Sequence, residues 1–117
     1  MGTTLLTKQK VAEAFTTGTL ITPSHIAWGT DDTSFSVEDS ALGTEVVRAS
    51  ITDTDLQSQT VVFLSTLTTA DGNSNTLTEV GLFDAASNGN MFVRDTFAGI
   101  AKTNQFEIDT EIVIRVQ

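Results

Sequence analysis

The chain has no cysteine, no tyrosine, one proline, one histidine and one tryptophan among 117 residues. Without thiols there is no disulfide frame, thiolate metal site or cysteine nucleophile. A lone histidine, His25, excludes a histidine-based metal cluster, and a Ser-His-Asp triad would have to be built on that one residue. Beside the apolar Ile26 and Trp28 it reads as an ordinary packed or hydrogen-bonded side chain. Bases are scarce as well: six against fifteen acids, a net charge of −9. Such a surface repels phosphate backbones, so nucleic acid is not an expected partner. It also keeps molecules apart until a specific contact forms. No run approaches the roughly 18 apolar residues of a membrane helix, and no membrane partner is expected. The N-terminal MGTTLLTKQK lacks a long apolar h-region, so a secretory signal is not expected. Leu6 occupies the place where a myristoylation motif wants Ser or Thr. There is no Gly-x-Ser-x-Gly, no phosphate loop, no GxGxxG and no internal repeat of 20–50 residues.

What the chain does contain is threonine, valine, isoleucine and phenylalanine in short alternating runs, the composition of half-buried strands. Leu77 to Phe97 carries most information. Val80 and Leu82 alternate with Glu79, Gly81 and Phe83, a period of two with at least one buried face. Residues 84–90, with Asn88-Gly89 able to take positive φ, form a turn, and Met91–Arg94 resumes an extended run. This predicts a β-hairpin around which other strands are laid. Further strands are predicted at His25–Trp28 after a turn at Thr22-Pro23, at Glu45–Ile51, at Gln59–Leu67 as a central strand, and at Phe106–Val116. In the last, Phe106, Ile108, Ile112, Ile114 and Val116 share one face, with Glu107, Asp109, Glu111 and Arg115 on the other. Residues 30–43 read as a polar loop with one helical turn capped by Ser36 and ended by Gly43. At about residues 5–16, Leu5, Val11 and Phe15 lie on one side of a 3.6-residue wheel, with Thr7 as cap and Gly18 beyond the end. That short helix either covers one end of the core or docks on a neighbouring subunit. The fold expected is therefore one all-β domain over residues 1–117: an antiparallel β-sandwich, jelly-roll-like in scale, with a short N-terminal helix (about 5–16) and a sheet core from about residue 20.

Two acidic stretches bear on calcium. Asp71-Gly72-Asn73-Ser74-Asn75 matches the first three ligand positions of an EF-hand loop, but Thr76 and Leu82 stand where glycine and glutamate belong. Asp31, Asp32, Glu38 and Asp39 could converge on a hard cation. Solvated turn carboxylates explain both, and no cofactor or metal is expected. Glu79 is different, because an unpaired carboxylate inside an apolar strand is expensive. It either points to water or pairs with Arg48 or Arg94, and breaking such a desolvated pair costs about 3–5 kcal/mol.

The series Thr22-Pro23-x-x-Ile26-Ala27-x-Gly29-Thr30, then Asp39-Ser40-Ala41-Leu42-Gly43-Thr44-Glu45-x-x-Arg48, resembles the opening of a small domain of structural proteins in tailed bacteriophages and archaeal tailed viruses. Thr78-Glu79-Val80-Gly81-Leu82-Phe83-Asp84-Ala85, then Gly89-Asn90-Met91 and Ile100-x-Lys102-Thr103, resembles that domain's ending. The likeness spans about residues 20–117. It implies a non-enzymatic virion protein of tail fibre, collar, baseplate or capsid surface, made in the host cytoplasm and assembled as a symmetric oligomer with other capsid, tail or connector proteins. The lack of a repetitive fibre segment favours a compact connector, turret or decoration subunit. Arg48, Glu79, Gly81, Asp84, Arg94 and Lys102 are then structural: Gly81 leaves room for a close backbone or a bulky neighbour, and Asp84 accepts hydrogen bonds from its turn. Leu5, Val11 and Phe15 are candidate anchors, and loops at about 30–40, 70–76 and 85–90 candidate outward surfaces. The rival class is a carbohydrate-binding or host-receptor module taking a host-surface glycan, although aromatic platforms are scarce. A hydrolase built on paired carboxylates lacks a rigid apolar frame to hold the pair.

Overall fold

Short alternating runs joined by turn-forming residues leave the backbone little choice but to pair edge to edge, and it does so in two antiparallel sheets. The computed structural model describes Gly2–Thr3, as backbone, and residues 22–115. The strands are β1 (Gly2–Thr3), β2 (His25–Gly29), β3 (Glu45–Ser50), β4 (Asp53–Gln57), β5 (Thr60–Leu67), β6 (Asn75–Phe83), β7 (Met91–Lys102) and β8 (Ile108–Arg115). One sheet has the order β1-β7-β6-β2-β3 and the other β4-β5-β8. The chain changes sheet between β3 and β4, between β5 and β6, and between β7 and β8.

The alternation read from the sequence decides what lies between the sheets. Ile26 and Trp28 of β2 sit opposite Leu82 and Val80 of β6, and opposite Ala49 and Val47 of β3. That face meets Phe63 and Leu67 of β5 and Ile112 of β8, with Ile108 and Ile114 packed at the margin. Full burial of a side chain such as Ile26 or Leu82 stabilises by about 1.5–3 kcal/mol. The outward set of β8 (Asp109, Glu111, Val113, Arg115) is exposed at every position. The expected faces of this strand are therefore the observed ones, apart from Phe106 and Glu107, which precede it as loop residues, and Val116, which lies outside the described residues.

Three expectations are corrected. β4 adds a strand to those expected: every one of its residues is exposed, and its Asp, Thr and Gln content disfavours a strand. A two-residue loop at Ser58-Gln59, with Ser58 at φ 57°, turns it back onto β5 and the ladder then holds it. The helical turn in 30–43 is instead a single turn in which the Asp39 N–H donates to Ser36 O (2.9 Å), while the Ser36 N–H donates to Asp39 Oδ2 (2.9 Å). Side-chain closure of so short a segment replaces the i→i+4 ladder. β7 runs to Lys102, well past the expected Arg94, because β6 offers a ladder as far as Asn75 opposite Lys102. The helix at about 5–16, with Leu5, Val11 and Phe15, lies outside the described residues.

Candidate functional site

The back of the five-stranded sheet, the face turned from the core, gathers Arg48, Glu79, Gly81 and Arg94, with Asp84 in the turn beside them, while Lys102 lies apart at the far end of β7. Register places Arg48, Ala27, Gly81 and Arg94 in one row across β3, β2, β6 and β7. The next row holds Glu45, Gly29, Glu79 and Thr96. Large polar side chains thus flank a trough floored by alanine and glycine. The β2–β3 connection, residues 30–44, crosses that trough as a strap. Leu42 drops into it beside Ala27, Phe83 and Met91. A Cβ on Gly81 would stand 2.9 Å from Leu42 Cδ2 and 3.0 Å from Phe83, so the glycine makes the space that the bulky neighbour fills.

Glu79 fastens the strap. Its side chain is fully buried, and its Oε1 accepts from Gly43 N (2.8 Å) and Arg94 Nε (3.0 Å). Oε2 accepts from Asp31 N (3.1 Å) and Thr44 N (2.8 Å). Backbone at both ends of the strap is therefore held by one carboxylate, just inside the pair in which Thr30 N donates to Thr44 O (3.0 Å). A Cβ on Gly29 would run into Thr44 O and Glu79 Oε2, which explains the glycine there. Arg94, 3% exposed, reaches on into the strap, with Nη1 donating to Thr33 O (2.9 Å) and lying 3.4 Å from Asp39 Oδ2. Glu79 is not a solvent-facing residue, and its partner is Arg94 rather than Arg48. Arg94 stands on the adjacent strand, whereas Arg48 stands two strands away at about 4.8 Å per step.

Arg48 secures a different loop. Its guanidinium lies 3.8 Å from the Phe83 ring centroid and forks onto Glu45 through Nε (2.9 Å) and Nη2 (2.7 Å). Nη1 donates to Ala85 O and Asn88 O, both at 2.9 Å, holding the turn between β6 and β7. Asp84 closes the same turn by accepting from Asn90 N (2.7 Å) and Asn90 Nδ2 (2.8 Å). Asn88 and Gly89 take φ 54° and 75° there, as their types allow. At the far end of the sheet Lys102 is buried, and its Nζ donates to Asn73 Oδ1 (3.0 Å) and Thr103 O (2.8 Å), 5.5 Å from the Phe106 ring. It joins the loop before β6 to the loop after β7.

The acidic stretches are engaged within the chain. Asp71 Oδ2 is taken by the N–H and hydroxyl of Thr68, and Asn73 Oδ1 faces the Lys102 ammonium, where a second cation would be repelled. Asp39 binds Ser36 and Arg94, and Asp31 binds Thr33 N at 2.7 Å. Thr33, through its hydroxyl and its N–H, holds the Asp31 carboxyl below its ordinary 3.8 against the opposing effect of burial, with Arg94 adding to the lowering. Among the described residues no group of three or more His, Cys, Asp or Glu could hold a metal ion. His25 lies between the Ser24 and Ser50 hydroxyls, 2.8 and 3.5 Å away.

Of the expected outward loops, 30–40 and 85–90 lie on this back face, the first as part of the strap; 70–76 runs from the opposite end into the start of β6. The roles of Leu42, Phe83 and the strap's own N–H groups were missed. The signal for them was the run of small residues, Ala27, Gly29 and Gly81, within otherwise bulky strands. A mostly apolar groove of about 270 Å³ opens between the distal half of β7 (Phe97, Ile100) and β8 (Ile108), with Trp28 and Leu77 among its lining residues. No family model matches the chain, and no curated protein does.

Proposed function

We propose that this chain is a non-enzymatic structural subunit of a tailed-virus particle, carried on the capsid or tail as a symmetric oligomer. The reading rests on the motif series in the sequence and gains support from what those residues do. Each basic or buried acidic motif side chain is held by fixed partners: Glu79 by four donors, Arg48 and Arg94 by carboxylates and carbonyls, Lys102 at the far end of the sheet by two neutral oxygens. Such groups brace loops, and their fixed partners leave them engaged in holding backbone rather than in exchanging a proton. The observation that carries the proposal is this use of all six motif residues to rivet loops onto a sheet, as a particle subunit exposed to mechanical and chemical stress requires. Apolar side chains left on the surface, Leu56 at 75% exposure among them, suit contact with further chains. The sandwich and its jelly-roll-like character belong to the same reading.

Glycan recognition gains less. Trp28 and Phe83 are buried, so neither offers a stacking face, and the cleft above Arg48 is floored by groups already engaged. Size-exclusion chromatography with light scattering tests the assembly claim. Several copies per particle are expected; a monomer at high protein concentration, in low and high salt alike, would overturn it.

A further inference from the structure

The two sheets are finished differently on their outer sides. The five-stranded sheet is roofed by its own strap and turn, whereas among the described residues no segment crosses the outer face of β4-β5-β8. Register puts Asp55, Val62 and Val113 in one row of that face, and Asp53, Leu64 and Glu111 in the next. Thr66 and Asp109 follow, joined by a 2.7 Å hydrogen bond that fixes both on the same side. Val113 is 45% exposed, although two apolar neighbours adjoin it. A shallow depression lies over Leu64, edged by Asp53, Asp109 and Glu111. The face therefore has an apolar centre and a polar rim, the anatomy of a contact surface, and four acids on the rim outweigh the single base Arg115.

We propose that this face docks a short cationic segment of another protein, one that presents lysine or arginine around a few apolar side chains. Two arguments choose that occupant. A second copy would bring the same acidic rim, on a chain of net charge −9, against its like. The face is also small. Three strands spaced about 4.8 Å apart, over seven residues of about 3.3 Å each, give roughly 300 Å². A standard interface takes about 800 Å² per partner, so the area suits a single strand or helix rather than a whole subunit. Lysine or arginine at the rim would meet Asp53 and Glu111 on either side of Leu64, while an apolar side chain covers Val62 and Val113. The inference goes beyond the assembly reading, since the face is available whether or not the chain self-associates.

The test titrates the full-length, isotope-labelled protein with three synthetic octapeptides, followed by amide chemical shifts. One alternates lysine and valine, one lysine and serine, one glutamate and valine. The lysine–valine peptide should shift amides of β5 and β8 around Val62, Leu64 and Val113, and bind about tenfold more tightly than lysine–serine. Val113→Ser should weaken it about fivefold. Asp53→Asn with Glu111→Gln should weaken it by a similar factor and flatten its salt dependence. Equal binding of lysine–serine, equal binding of glutamate–valine, or shifts centred elsewhere would overturn the proposal. Light scattering of Val113→Ser adds a separate check: if that variant dissolves an oligomer formed by the wild type, the face is a self-contact and the inference is wrong. A monomeric wild type that binds the lysine–valine peptide on this face would instead uphold it while ending the assembly reading.

Discussion

Replacing Glu79 by alanine removes one carboxylate and strands four donors. Arg94 would keep Thr33 O and the longer contact to Asp39, but would lose its carboxylate partner on the adjacent strand. Breaking a buried ion pair from one side costs about 3–5 kcal/mol. The N–H groups of Asp31, Gly43 and Thr44 would lose their acceptor as well. Each orphaned group costs about 1–3 kcal/mol when water cannot reach it. These three sit at the edge of the strap, where an opening admits water, so much of that further cost is relieved. The expected loss is therefore about 4 kcal/mol, or roughly 12–20 °C in Tm for a domain of this size. Glu79→Gln tests the same contacts with little change in volume. Its amide N–H₂ would face two donors, so a loss of roughly 2–4 kcal/mol is expected. Urea unfolding with an unchanged slope gives the magnitude. Amide exchange gives the location: protection at Gly43 and Thr44 should fall in Glu79→Gln while β5 and β8 keep theirs. A change of a few tenths of a kcal/mol in both variants, with strap amides still protected, would refute the claim that this carboxylate fastens the strap.

Gly81→Ala should destabilise by about 1–3 kcal/mol, because the added methyl meets Leu42 Cδ2 and the Phe83 ring. Thermal unfolding of Gly81→Ala with Leu42→Ala should then show less than the sum of the two single losses, since the truncated leucine vacates the space. For Asp31 the folded-state carboxyl lies below its ordinary 3.8, so its contribution is present above that value and is lost as pH falls through the lower folded one. Acid unfolding should therefore be less steep below about pH 3.8 in Asp31→Asn than in the wild type, and identical limbs would refute the assignment.

Period-two alternation is a local property, and the sequence by itself determined the strands that obey it, with the inward faces of β6 and β8. It also determined the Asn88-Gly89 turn and reduced the charged partner of Glu79 to two arginines, because a carboxylate within the apolar run Leu77–Phe83 must find a cation or water. The choice between them was not local. It depended on strand order, which sets Arg94 one strand away and Arg48 two, and strand order is decided by how distant segments pack. The same holds for β4, whose polar residues form a strand only because β5 supplies a ladder, and for the extension of β7 along β6. The strap carries no hydrophobic period to announce it. Leu42 becomes a core residue only once Ala27 and Gly81 are brought side by side beneath it, and Lys102 becomes buried only once two loops close over the end of β7. A side chain's face is fixed by its neighbours in the chain, but its partner is fixed by registers between residues tens of positions apart, and only the folded chain sets those.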